Sequence, residues 1–147
     1  KQKRGITIRP MPDNRLVLIA LHEHGFATKK KVKVAHLNGQ DFVHFERDVP
    51  TRKAMDRIFK ANNIEVKKVA EFDNIETIKR AVEVGFGLAI VPEPAVSEAR
   101  KAGSVIVVPL VEDYWTRSVG VIHRTDRNLS LAAKKFVQLL AEQSTLG

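Results

Sequence analysis

The side chains of this 147-residue chain that could do acid–base, metal or nucleophilic chemistry do not gather into a catalytic pattern. His22 and His24 flank Glu23, but alternate positions in a polar loop lack the i, i+4 spacing that puts two imidazoles on one helical face for zinc. The triplet reads as a solvated loop. His36, His44 and His123 have no acid–base partner nearby in sequence, and Ser97, Ser104, Ser118 and Ser130 lack a nucleophile-elbow context. Gly85-Phe86-Gly87 falls at a helix end, not after a strand, and lacks a third glycine, so a dinucleotide fingerprint is unsupported. The chain contains no cysteine, which excludes thiolate nucleophiles and disulfides and fits a reducing, cytoplasmic setting. No paired carboxylates stand out either. The residues point to a binding module rather than an enzyme, with no cofactor and no metal expected.

Binding chemistry is better represented. Three segments join a strand to a following helix: Glu46–Thr51 (ERDVPT), Phe72–Thr77 (FDNIET) and Pro92–Pro94 (PEP). In an open α/β sheet such segments lie at the carboxyl ends of the strands, where ligands bind. Each helix N-terminus offers free backbone N–H groups and a partial positive charge, so three on one rim could hold a carboxylate or phosphate. Asp48, Thr51, Asp73 and Asn74 are equally good helix caps, so each alone has a purely structural explanation. Local charge is mixed: Glu46, Asp48, Asp73, Glu76 and Glu93 oppose Arg47 and Arg52. The helix ends lean toward an anionic effector, and the side-chain charges leave its sign open.

The elements that must position this rim follow from hydrophobic period. Ile6–Ile8 reads as a short strand ended by Pro10 and Pro12, and Arg15–Leu21 (RLVLIAL) as a buried strand. Val32–Leu37 is a short helical or extended connection. Asp41–Glu46, Glu65–Phe72, Leu88–Val91, Val105–Leu110 and Ser118–His123 are further strands. Thr51–Asn62 is a helix with Ala54, Met55, Ile58 and Phe59 on one stripe. Asn74–Val84 is the next, capped by Asp73 or Asn74 and closed at Gly85. A third begins at Pro94 and ends at Gly103. In Asn128–Glu142, Leu129, Ala132, Ala133, Phe136, Val137 and Leu140 recur at helical spacing. Strands alternating with helices predict an α/β fold built on a mostly parallel sheet.

Composition narrows the partners. The apolar fraction of 44% is enough for a real core, and 25 basic against 17 acidic residues give a formal charge of +8. That surplus raises nucleic acid or an anionic ligand as a partner. The basic runs Lys1–Arg4 and Lys29–Lys33 carry no interleaved aromatics, however, and no helix-turn-helix pattern occurs. They read as solvated lysines. No stretch reaches the length of a membrane span and no secretory h-region follows Lys1–Arg4, so no membrane partner is expected.

Order and spacing then suggest a family. Ile75–Pro92 (IETIKRAVEVGFGLAIVP) resembles the helix–Gly–x–Gly–strand–Pro segment of LysR-type effector-binding domains. Leu37–Val43 (LNGQDFV) is similar to an upstream family segment, and Arg52–Phe59 to the helix after it, with Asp56 and Phe59 in matching places. Val105–Leu110, Val119–Arg124 and Asn128–Leu140 resemble the closing strands and helix. The resemblance covers nearly the whole chain.

It implies a periplasmic-binding-protein type II-like fold of two α/β subdomains, here one complete and the other partial. The second regulatory subdomain would be 14–116, and 1–13 with 117–147 the remnant of the first. The winged-helix DNA-binding domain, the linker helix and the opening half of the first subdomain are expected to lie outside this sequence. The implied function is regulatory: a metabolite bound in an inter-subdomain cleft would shift a conformational equilibrium and so control transcription. By position, the resemblance carries effector contacts to Val49, Pro50 and Thr51, to Asn74, and to the strand residues Arg9 and Pro10. It implies a homo-oligomer, dimer or tetramer, that reaches promoter DNA only through the N-terminal domain. A solute-binding protein of the same fold is the alternative, disfavoured by the missing leader. A basic DNA-binding accessory is a third reading, and it predicts strongly salt-dependent affinity.

In the family the face of the last helix packs on the first subdomain's sheet, most of which this chain would lack. Burying one large apolar side chain contributes roughly 1.5–3 kcal/mol, so an uncovered stripe on Asn128–Glu142 favours association. The 147-residue chain is predicted to self-associate; sedimentation as a clean monomer at tens of micromolar, with this helix protected from hydrogen exchange, would show the face already covered.

Overall fold

Leu16, Val17, Leu18, Ile19 and Ala20 are each at most 1% exposed, as a continuous apolar run in a two-sided sheet requires. The computed structural model describes residues 5–125 and 128–143. The run is the end of a single strand, β1 (Ile6–Ala20), rather than a second strand after a break at Pro10 and Pro12. Both prolines are exposed, and a strand tolerates proline where no partner needs its missing N–H. After β1 come β2 (Asp41–Phe45), α1 (Pro50–Ala61), β3 (Lys67–Phe72), α2 (Ile75–Glu83), β4 (Ala89–Pro92), α3 (Ser97–Ala102), β5 (Ile106–Val108), β6 (Thr116–Arg124) and α4 (Leu131–Gln143). The chain divides into two compact units, Asn14–Arg117 and Lys1–Asp13 with Ser118–Gly147.

In the larger unit the α/β class is as expected, and the sheet is mixed. β2 and β3 are parallel, while β1 runs antiparallel to both β4 and β5, with Leu18 opposite Ile90 on one side and Val108 on the other. Phe42 and Leu88 form a parallel bridge joining the β2–β3 pair to the approach of β4. β6 pairs with β1. Side chains alternate between two cores. Leu16, Leu18, Phe42, Leu88 and Ile90 pack with Met55 and Phe59 of α1 and with Trp115. Val17, Ile19, Val43, Ala89 and Val91 pack with Ile78, Ala81 and Val82 of α2. Helices therefore cover both faces of one sheet, and the period of two decides which core each strand residue enters.

In the smaller unit α4 buries Val137 and half-buries Ala133 and Leu140, with Leu129 half-buried just ahead of it. The buried edge is thus one side of the apolar arc. Phe136, placed on that face by periodicity, is 61% exposed, and Leu131 and Leu139 are exposed beside it. Among the described residues, no helix is long and apolar enough to cross a membrane.

Gly85-Phe86-Gly87 has a backbone role. Gly85 takes φ 82° just past the C-terminus of α2, as a helix-ending residue must. Gly87 has φ 154°, and a Cβ there would stand 2.6 Å from the Asp41 carbonyl oxygen. The approach is close because Leu88 N–H donates to Asp41 O and Val43 N–H to Leu88 O, both at 2.8 Å. Gly103 is also left-handed, at φ 68°, but has open space around it. Gly87→Ala is therefore predicted to lose about 2–4 kcal/mol through strain and the clash with β2. Gly103→Ala should lose only about 1–2 kcal/mol. Urea unfolding of the two variants checks the order; equal losses would mean that β2 and β4 are not locked together at Gly87.

Candidate functional site

The carboxyl ends of β2, β3 and β4 meet around a pocket of about 470 Å3 in the larger unit, a size that suits a small metabolite. Phe45 closes β2 and lines it, followed by Val49 and Thr51 at the start of α1. Asp73 and Ile75 reach it from the β3–α2 junction. Pro92 ends β4, and Pro94 and Ala95 belong to the 3-10 turn that follows. Asn14 of β1 and Arg117 of β6 complete the wall.

Two features place positive charge at this pocket, opposite the Asp73 carboxylate on its wall. α1 begins at Pro50 with no side-chain cap hydrogen bond and no acidic residue in its first turn. The N–H groups of Thr51 and Arg52 therefore have no acceptor within the helix, and the positive end of its dipole stands open. α2 is different: Asn74 Oδ1 accepts from Glu76 N–H at 2.7 Å and Thr77 N–H at 3.4 Å, and Glu76 adds a negative charge there. The second feature is Arg117. Its Nη1 donates to Thr51 Oγ1 at 3.0 Å, while its Nε is buried with no hydrogen-bond partner and no ion pair forms to it among the described residues. A guanidinium with an unused donor beside an uncapped helix end has the chemistry to receive an oxyanion.

Of the residues singled out in the sequence, Val49 and Thr51 line the pocket, Thr51 being fully buried. Pro50 occupies the first helical position between them without lining it. The side chain of Asn74 is spent on capping α2, and its neighbours Asp73 and Ile75 face the pocket instead. Arg9 and Pro10 are exposed, belong to the smaller unit and do not line this pocket. Sequence reasoning missed Asn14, Phe45 and Arg117. Arg117 sits in an ordinary polar–apolar alternation, TRSVGVIHR, and nothing local separates it from a solvated strand cation.

A second polar cluster involves the same elements. His44, on β2, is 3% exposed, and its Nδ1 is buried without a hydrogen-bond partner. Next to it Arg52 donates Nε to Asp56 at 2.7 Å, and Nη1 to the Phe45 carbonyl at 2.8 Å and to Glu71 at 3.1 Å. Glu71 also accepts from Lys68 Nζ at 2.6 Å, and that bond holds its carboxyl below the usual range. Burial, with the Arg52 charge added, lowers the His44 imidazole to about 4, so it is neutral near pH 7.

Known proteins place this architecture in a family. The chain matches the family model of the LysR substrate binding domain over residues 2–145 and belongs to that family. A probable RuBisCO transcriptional regulator of Thalassiosira pseudonana is 29% identical over 138 residues, covering 88% of this chain and 44% of that protein. The chain thus spans a little under half the length of this curated relative. Among solved structures, the regulatory domain of Synechocystis PCC6803 CcmR in complex with 2-PG aligns with TM-score 0.83 at 24% identity, over 95% of this chain and 67% of that one. The effector-binding domain of QuiR in complex with shikimate aligns with TM-score 0.82 at 18% identity, over 99% and 68%.

His44 gives the fold an acid-side signature. Its folded value of about 4 lies below the ordinary 6.5, so below pH 6.5 the unfolded chain takes up a proton that the native state refuses. The stability contributed by neutral His44 is complete above pH 6.5 and is lost as pH falls toward 4, by about 3 kcal/mol at most. His44→Phe, which extends the ring contacts with Phe42 and Phe59, should remove this slope. Urea midpoints measured from neutral to acid pH on both proteins check it; an unchanged slope in the variant would assign the loss to other groups.

Proposed function

We propose that the chain is the ligand-sensing part of a LysR-type transcription regulator, and that its pocket at the N-terminus of α1 binds a small anionic effector. The observation carrying this reading is Arg117, bonded to Thr51 with its Nε unspent, at the mouth of an uncapped helix. Support also comes from the structural neighbours, whose ligands are 2-PG and shikimate, the latter a carboxylate. Residues 14–117 act as the second regulatory subdomain, with 1–13 and 118–147 contributing to the first. The relative named as a transcriptional regulator favours this sensor over a solute-binding protein of the same fold. The role is binding, not catalysis.

In this reading the effector stabilises one arrangement of a cytoplasmic homo-oligomer, and another part of a longer protein contacts promoter DNA. Thr51 supplies a free backbone N–H and a hydroxyl, Val49 an apolar wall, and Arg117 the charge. Pro50 fixes the first turn of α1, and Asn74 shapes the rim through its cap. Arg9 and Pro10, the remaining contacts that the family resemblance suggests, lie outside this pocket.

A thermal-shift screen of small carboxylates and phosphate monoesters, repeated on variants, tests the proposal. Losing a charge-assisted hydrogen bond costs about 1.5–3 kcal/mol, so Arg117→Gln should weaken the best hit about ten- to a hundredfold. Thr51→Val should weaken it less. Undiminished affinity in both variants would place the effector elsewhere.

A further inference from the structure

Residues alternate across β2, so while Phe45 lines the effector pocket, His44 lines a different one. That second pocket, about 360 Å3, shares no lining residue with the first. It lies in the same unit, between β2, α1 and β3. We propose that it is a second binding site, for a small oxyanion, formed by His44, Arg47, Lys60 and Lys68.

Three observations carry the proposal. The first is His44, 97% buried by its 3% exposure, with a ring nitrogen that no group of the described residues satisfies. A buried polar atom without a partner costs about 1–3 kcal/mol, a cost relieved when a ligand supplies the missing hydrogen bond. Imidazole can turn over about its Cβ–Cγ bond, so either nitrogen can present an N–H to an acceptor in the pocket.

The second is a break in strand register. Phe42 stands opposite Lys68, but Val43 stands opposite Ala70, so Val69 is an extra residue in β3. Without it, Lys68 and Glu71, three apart, would point to opposite faces. The bulge brings both to the His44 face, where they form their 2.6 Å ion pair, and it leaves Val69 45% exposed. An insertion that turns a lysine toward an unpaired buried histidine is how bulges re-aim side chains at binding sites.

The third is charge. Arg47, Arg52, Lys60 and Lys68 line the pocket against a single acid, Asp56. Arg52 is held by Asp56, Glu71 and the Phe45 carbonyl, and it serves as the fixed floor. Counting Glu71, which bridges Arg52 and Lys68, the surroundings keep a surplus of two positive charges with His44 neutral. Phe59, Ile64 and Val66 form an apolar side wall for the remainder of a ligand. Arg47 and Lys60 are exposed and free to close over an anion; Lys68 can divide its donors between Glu71 and the ligand.

The site is separate from the effector reading and stands or falls by itself. Inorganic phosphate and, in a parallel series, acetate are titrated into the isotope-labelled chain at fixed neutral pH. The His44 ring nitrogens and the Lys68 amide are followed, with sodium chloride at matched ionic strength as control. A saturable shift with at least one oxyanion and none with chloride is expected, and the stronger of the two identifies phosphate or carboxylate as the natural group. Arg47→Gln combined with Lys60→Gln, both at exposed positions, should weaken binding about tenfold or more. Arg117→Gln should leave it unchanged. No saturable response, an equal response to chloride, full affinity in the double variant, or loss of the response in Arg117→Gln would each overturn the proposal.

Discussion

Both faces of β1 must be buried at once, and the rest of the larger unit follows from that demand. Leu16, Leu18 and Ala20 enter one core, Val17 and Ile19 the other, and none can reach water without exposing a neighbour. Each large side chain is worth roughly 1.5–3 kcal/mol of burial, so a covering layer is needed on both sides. α1 supplies one and α2 the other, and the connections that bring them there start at the ends of β2 and β3. The strand–helix rim is a by-product of this wrapping: helices that return over a sheet must begin where its strands stop.

What differs between those helix starts decides the chemistry. α2 satisfies its own first turn through Asn74 and Glu76, leaving little for a ligand. α1 starts with a proline and no cap, and Thr51 just inside it holds the guanidinium of Arg117. Two consecutive residues of that turn line two pockets: Thr51 the one at the carboxyl ends of β2, β3 and β4, and Arg52 the one around His44. The period of two in β2 does the same with Phe45 and His44. One strand–helix junction thus organises both concave surfaces.

The helices, the succession of strands and helices along the chain and the strand–helix junctions were legible because they rest on local patterns: apolar period, proline at a helix start, glycine at a helix end. The direction of β1 against β4 and β5 was not, since an apolar run is the same in a parallel or an antiparallel neighbour. Nor could prolines alone show that Ile6–Ala20 is one strand. In the site, Thr51 and Val49 could be placed because they sit on a recognisable junction. Arg117 could not, because its role depends on a contact 66 residues away in sequence. His44 looked isolated for the same reason: its neighbours Arg52, Asp56, Glu71 and Lys68 come from two other elements, and the bulge at Val69 leaves no signature in composition. On α4 the apolar arc is wider than the face that is buried, so periodicity alone put Phe136 inside.

The central claim is that an anion is held at the start of α1 by Arg117 and free backbone N–H groups. Amide hydrogen exchange with and without a saturating effector measures this directly. Slowed exchange is expected at Thr51 and Arg52, with a smaller effect at Lys53, whose N–H already donates to the Val49 carbonyl, and at the Asn74–Thr77 cap. Protection confined to other segments, with these amides unchanged, would contradict it.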